Sequence, residues 1–162
     1  MACLEIRVLH ETPAITIAAA GPYCLGRWRD VSDVHGLRAM HEALLIWARS
    51  VDRFCASNVV DAHAIIRIPE DGRREVAKVQ GSFNDQQAGL ATVVPAKGFF
   101  SAAVRGIVSA VVLMSRARFP QQVFDDQRAA RLWSAGLIGR TDGDDALAAL
   151  ATLEPQQLRA AQ

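Results

Sequence analysis

Four short segments have β-like patterns of hydrophobic and polar residues, which predict β-strands. Residues 3–9 alternate and residues 14–20 form a second apolar run, so these two segments predict an antiparallel hairpin. Residues 62–68 and 74–80 are also β-like, and the turn-forming sequence Pro-Glu-Asp-Gly at 69–72 lies between them. The pattern therefore predicts a second hairpin, with 74–80 as an exposed edge strand.

A different spacing follows the first hairpin. From residue 34 to residue 56, apolar positions recur every three or four residues, which predicts one long helix with Ser32 as a candidate cap. The preceding segment, 21–36, is rich in turn-forming residues and carries Tyr23 and Trp28. We interpret it as a loop with two aromatic anchors.

The stretch 88–132 is the most informative part of the chain, because it reads as strand, helix, strand and helix in one continuous run. Short apolar strands are predicted at 90–94 and 122–124, and a helix of sixteen residues is predicted at 99–114. The helix that ends this run carries Trp133.

The fold class that follows is α/β. We expect a single domain over residues 1–140, with helices packed on a mixed β-sheet of five or six strands. Residues 141–162 are expected to form a C-terminal helical extension, with short helices at 145–153 and 155–162.

Composition and charge exclude several classes of protein. Among 162 residues, 18 basic and 17 acidic side chains leave a net charge of +1, so no electrostatic signature of nucleic-acid binding is present. Arg105 interrupts the apolar helix at 99–114, so no membrane span is expected. Three widely spaced cysteines and an N-terminal segment without a signal pattern predict a cytoplasmic protein.

No motif for catalysis, a metal or a cofactor stands out, and none of these is expected. The glycine-rich signatures of nucleotide-binding and hydrolase sites are absent, and the four histidines lack metal-ligand spacing. An enzyme that uses Cys24 or a histidine of the 21–36 loop is the alternative. The candidate contacts for a ligand or partner are Tyr23, Cys24, Trp28, His35 and Arg105.

The helix at 99–114 carries small residues at every fourth position: Ala102, Gly106 and Ala110. This face is predicted to lie on the sheet, where Gly106→Leu would overpack the contact. The alternative is that it meets a second copy of itself. Because most soluble oligomers are closed symmetric dimers, a homodimer is expected, with Trp28, Arg105 and the C-terminal helices as candidate contacts.

The order of these elements resembles the STAS fold of anti-sigma-factor antagonists, and particularly their bacterial SpoIIAA-like relatives. The resemblance is carried by the sequences LATVVP, FFSAAVRGIVSAVVLMSR and FPQQVFDD, followed by the helix with Trp133. It implies a non-catalytic regulatory or binding module that acts through protein contacts or a small ligand.

Two departures from this family are visible in the sequence. The family's phosphorylated serine occurs as Asp-x-Ser, but Ser57, Ser82 and Ser101 have no acidic residue two positions earlier. The phosphorylation site is therefore not carried over. The hairpin predicted around residues 69–72 also replaces a helix of the relatives.

Overall fold

The computed structural model describes residues 5–61, 68–94 and 99–152. Within these residues, six strands form one mixed sheet and five helices cover its faces. The strands are β1 (Ile6–Glu11), β2 (Ile15–Ala20), β3 (Tyr23–Trp28), β4 (Phe54–Val60), β5 (Gln87–Val93) and β6 (Gln121–Phe124). The helices are α1 (Val34–Ala48), α2 (Glu70–Gly81), α3 (Phe99–Ser115), α4 (Gln127–Ile138) and α5 (Gly143–Ala151).

The strands lie side by side in the order in which they occur along the chain. The first three pair antiparallel, and β3 to β6 pair parallel through crossovers that contain α1, α2 and α3. Because such crossovers share one handedness and the strands advance in one direction, these three helices cover the same face of the sheet. We call it the crossover face, and the face under α4 and α5 the C-terminal face.

The first hairpin and the strand–helix run are confirmed. β1 and β2 pair antiparallel, although a bulge between Val8 and His10 shifts their register. The run predicted at 90–94, 99–114 and 122–124 appears as β5, α3 and β6, with β5 starting at Gln87. The prediction at 155–162 and most of that at 62–68 lie outside the described residues.

The interpretation of residues 21–36 as a loop is wrong, because this segment contains β3. Its side chains alternate between the faces: Cys24 and Trp28 contact the crossover-face core, whereas Tyr23 and Leu25 contact the C-terminal-face core. Gly21, Pro22 and Gly26 suggested a loop, yet Gly26 pairs with Ile17 within the sheet.

The long helix predicted at 34–56 is also wrong in its second half. The helix ends at Ala48, and Phe54 begins the central strand β4. The Ser50 hydroxyl donates to the Trp47 carbonyl at 2.7 Å, and the Gln86 amide donates to the carbonyls of Ala48 and Val51. These bonds satisfy carbonyls that the helix leaves open at its end.

The second predicted hairpin is replaced by α2. Pro69 occupies the N-cap position, and the acidic Glu70 and Asp71 lie in the first turn, where they suit the helix dipole. Gly72, Glu75 and Val79 are buried at helical spacing. The edge strand predicted at 74–80 therefore does not exist, and the edges of the sheet are β1 and β6.

The small-residue face of α3 points away from the sheet, contrary to the prediction. Ala102 and Gly106 are exposed, and a Cβ built on Gly106 would have no atom within 4 Å. The helix instead buries Val104 and Val111. No helix among the described residues is both long and apolar enough to cross a membrane.

Candidate functional site

Two adjoining cavities lie between the crossover face and its helices. The outer cavity, about 50 Å³ in volume, is formed by α2, α3 and the final residues of the central strands. The inner cavity, about 60 Å³, extends beneath α1 and α2. Since one water needs roughly 10–15 Å³ by this measure, each has room for more than one water-sized group. We call them the outer and inner lobes of one chamber.

The two lobes share four lining residues, which we call the neck: Trp28, Asn58, Val76 and Gln80. The indole nitrogen of Trp28 donates to Asn58 Oδ1 at 3.2 Å. Gln80 Oε1 is buried without a hydrogen-bond partner. Such an atom incurs a desolvation cost that a ligand could offset by donating a hydrogen bond.

Gly26 leaves room for the polar pair at the neck. A Cβ at this position would lie 2.5 Å from Asn58 Oδ1 and 3.2 Å from Trp28 Nε1. A larger residue would therefore displace the side chains that separate the lobes. The glycine that suggested a loop serves here to bring a tryptophan and an asparagine together inside a sheet.

The walls of the outer lobe are mainly aliphatic, with a single basic side chain, Arg73, among those that line it. Arg73 Nε donates to the Ile68 carbonyl at 3.1 Å. Its guanidinium forms no salt bridge within the described part of the chain. The aliphatic walls of this lobe come from Val60, Ile68, Val76, Ile107, Val108 and Val111.

A second group of incompletely paired polar atoms lies between α1 and α2. His41 Nε2 and Glu75 Oε1 are buried without hydrogen-bond partners, although Glu75 Oε2 lies 3.5 Å from Arg38. Burial lowers the pKa of His41, while the nearby Glu75 carboxylate opposes this effect. The contact between these helices is therefore less completely satisfied than an ordinary core.

The structure brings two of the five predicted site residues to the chamber. Trp28 belongs to the neck and Cys24 lines the inner lobe. Tyr23 is buried on the opposite face of the sheet. His35 and Arg105 are exposed, on α1 and α3 respectively.

Burial makes both described cysteines poor nucleophiles. It raises the pKa of Cys24 to about 12 and that of Cys55 to about 11. The thiolate is the reactive form of cysteine, so both thiols are essentially unreactive at neutral pH. Their strand positions also direct them to opposite faces of the sheet.

The sequence interpretation missed Asn58, Arg73 and Gln80. A usable signal existed for Asn58, because an asparagine within the apolar segment Cys-Ala-Ser-Asn-Val-Val is unusual for a strand. Arg73 and Gln80 were assigned to a hairpin, and their spacing of seven places them on one side of a helix only once α2 is recognised.

Among the described residues, no three histidine, cysteine, aspartate or glutamate side chains are grouped so that they could hold a metal ion. The chain matches no protein-family model, and comparisons with curated proteins and with solved structures gave no match. The chamber is therefore interpreted from its own geometry.

Proposed function

We propose that this chain is a non-catalytic, STAS-like binding module of the bacterial cytoplasm, which holds a small ligand in the chamber. The observation that carries the proposal is the neck, where a buried, unpartnered Gln80 oxygen and the Trp28–Asn58 pair lie between two lobes with mostly apolar walls. Ligand sites commonly combine apolar walls with a few convergent polar groups. The small volume favours a compact or slender ligand.

The position of the chamber in the sheet supports the same proposal. The outer lobe lies where β3 and β4 end, at Trp28 and Val60. Strand ends lead into connecting segments, where binding residues are disproportionately found. The presence of α2 in place of the predicted hairpin also removes one departure from the STAS pattern.

A methyl NMR titration with 1-hexanol and benzyl alcohol tests ligand uptake. We expect shifts for methyl groups that line the chamber, including Val60, Val76 and Val108, and loss of those shifts in Val76→Phe, which fills the neck. Leu45→Phe is the control, because Leu45 is exposed outside the chamber. Ligand uptake is contradicted if neither alcohol shifts these methyls, or if Val76→Phe responds like the wild type.

The alternative, an enzyme that uses Cys24, is tested by alkylation of the folded protein. The raised pKa and burial of Cys24 predict slow reaction with iodoacetamide at pH 7, close to the rate of unfolding. Rapid alkylation of the native protein at Cys24 would favour the enzyme.

Self-association is the second proposed activity, and the outer surface of α3 supports it. Leu113 is 80% exposed and Met114 is 44% exposed, next to the uncovered small-residue face. Trp28 is buried, so Arg105 is the better placed of the predicted contacts. Sedimentation at micromolar concentration should show a dimer that Leu113→Glu dissociates, whereas a monomer of 17.5 kDa would contradict self-association.

A further inference from the structure

The ligand class follows from the distribution of charge along the chamber, an argument that rests on the proposed ligand-binding function. Among the described residues that line the inner lobe, none is charged, and the unpartnered group there is an acceptor, Gln80 Oε1. An anionic group is disfavoured in this lobe, because its walls provide no cation to compensate the charge. The inner lobe therefore suits an uncharged, mainly apolar part of a ligand.

The outer lobe differs because Arg73 lines it. The described residues provide no carboxylate that pairs with this guanidinium, and the remaining segments nearest to it in sequence, 62–67 and 95–98, contain no acidic residue. Its Nε is held by the Ile68 carbonyl, which fixes the side chain beside the lobe. The terminal nitrogens of a guanidinium in this setting can bind a planar, two-oxygen anion.

Arg73 and Gln80 also define a direction along the chamber. They are seven residues apart on α2, which separates their Cα atoms by roughly 10 Å along the helix axis. The aliphatic side chain of Val76 lies between them and belongs to both lobes. A ligand that runs along this line would present a charged head to Arg73 and an apolar body to Val76.

We infer that the chamber binds a small aliphatic monocarboxylate, with its carboxylate on Arg73 and its hydrocarbon body directed through the neck. The outer aliphatic side chains, including Val60 and Val108, would cover the first carbons of the body. The apolar inner lobe would take its end. Asn58 would lie beside the body, and a hydroxyl group carried on the body at the neck would donate to Gln80 Oε1, which is otherwise without a partner.

Calorimetric titration with hexanoate, 1-hexanol and hexylamine tests this inference on the full chain. We expect hexanoate to bind about tenfold more tightly than 1-hexanol, as a charge-assisted hydrogen bond allows, and hexylamine to bind most weakly. Arg73→Gln should lower the hexanoate affinity to about that of 1-hexanol and so remove the preference. Arg73→Lys should retain part of the preference, because it keeps the charge.

Arg74→Gln is the matched control, since Arg74 is the next residue on α2, is exposed and pairs with Glu70. It should bind all three compounds like the wild type. Equal affinities for hexanoate and 1-hexanol in the wild type, or an unchanged hexanoate affinity in a folded Arg73→Gln protein, would overturn the carboxylate inference alone. Failure of all three compounds to bind would overturn the proposed chamber function with it.

Discussion

The two faces of the sheet are packed by different means. On the C-terminal face, small residues allow the helices to approach closely: a Cβ on Gly89 would lie 3.0 Å from the Trp133 ring, and Ala91 and Ala130 are fully or almost fully buried. A hydrogen bond of 3.1 Å joins the buried hydroxyls of Ser57 and Ser134 across this contact. The helices there fit the sheet closely, and no residue of α4 or α5 lines the chamber.

The crossover face carries larger side chains and keeps space between them. Trp47, Phe54 and Phe83 form edge-to-face contacts, with ring centroids 5.0 and 5.4 Å apart in successive pairs. The chamber remains beside these rings, and the α1 and α2 side chains His41, Glu75 and Gln80 each carry a buried atom without a hydrogen-bond partner. The crossover face therefore retains the space that binding requires, together with unpaired polar atoms on α1 and α2, whereas the unpaired atom of this kind beside α5 is the Tyr23 hydroxyl.

The largest effect is expected for Gly143→Ala on the C-terminal face. A Cβ at this position would meet the Tyr23 hydroxyl and lie 2.9 Å from the Ala135 Cβ, and the Tyr23 ring is completely buried. Overpacking of this kind should destabilise the protein by about 1–3 kcal/mol in urea unfolding.

Tyr23→Phe provides the control for this contact. The Tyr23 hydroxyl has no hydrogen-bond partner, so its removal alone should not destabilise the protein. In the double variant it should restore part of the stability that Gly143→Ala removes. Strict additivity of the two changes would show that the hydroxyl is not the obstacle.

The next largest effect is expected from replacing an alanine by valine, a change that can be made on either face of the sheet. Ala91→Val adds two methyl groups beside Ala130 on the closely packed face and should destabilise by about 1–2 kcal/mol. Ala56→Val adds them to the wall of the inner lobe and should be neutral or stabilise by up to about 1 kcal/mol. Equal losses of stability in the two variants would remove the distinction between the faces.

Gly106→Ala should stabilise the protein by about 0.5–1 kcal/mol, because the glycine is helical, exposed and free of neighbours. Thermal unfolding measures this effect. Destabilisation would indicate that α3 packs its small-residue face against something after all, with a second copy as the first candidate to examine.

The smallest expected effect is a dependence on pH at the α1–α2 contact. Burial lowers the pKa of His41 below its ordinary value of 6.5, so the unfolded chain takes up the proton more readily than the native protein does. The stability associated with the neutral imidazole is thus complete above the ordinary pKa and is lost as the pH falls from there through the lowered pKa of the native protein. The neighbouring Glu75 and Glu42 oppose this shift, and Lys78 reinforces it.

His41→Gln should flatten the fall in stability between about pH 7 and pH 5 in urea titrations. His10 also has a lowered pKa through burial, so some dependence on pH should remain. His35→Gln is the control, because His35 is exposed. An unchanged slope in His41→Gln would mean that His41 is solvated in the native protein.

Local sequence signals predicted the strand–helix run 88–132 well and the middle of the chain poorly. The hydrophobic periodicity and the boundaries of β5, α3 and β6 depend on nearby residues. In contrast, the end of α1 depends on Gln86, which is 38 residues away from Ala48, and Val51 continues the helical spacing beyond the true end. At α2, the strong turn signal of Pro69 and Gly72 concealed a helix whose start those same residues form.

The chamber could not be predicted from the sequence for the same reason. Its polar residues lie on β3, β4 and α2, and the sequence interpretation had assigned β3 to a loop, the start of β4 to the helix at 34–56, and α2 to a hairpin. Cys24 and Trp28 were identified because they are chemically distinctive, yet their pairing with Asn58 and Val76 requires the parallel register of β3 and β4 and a helix above it. Tertiary contacts, and not local pattern, assemble this site.

The crossover face keeps an accessible internal space, whereas small residues let α4 and α5 pack closely on the C-terminal face. Diffraction from crystals pressurised with xenon tests this difference directly, since xenon enters cavities with apolar walls. We predict xenon in the inner lobe beside Cys24 and Leu44, and none between the sheet and α4 or α5. A crossover face without xenon, closed by α2 over Gly26 and Ala56, or xenon bound under α4, would contradict the account.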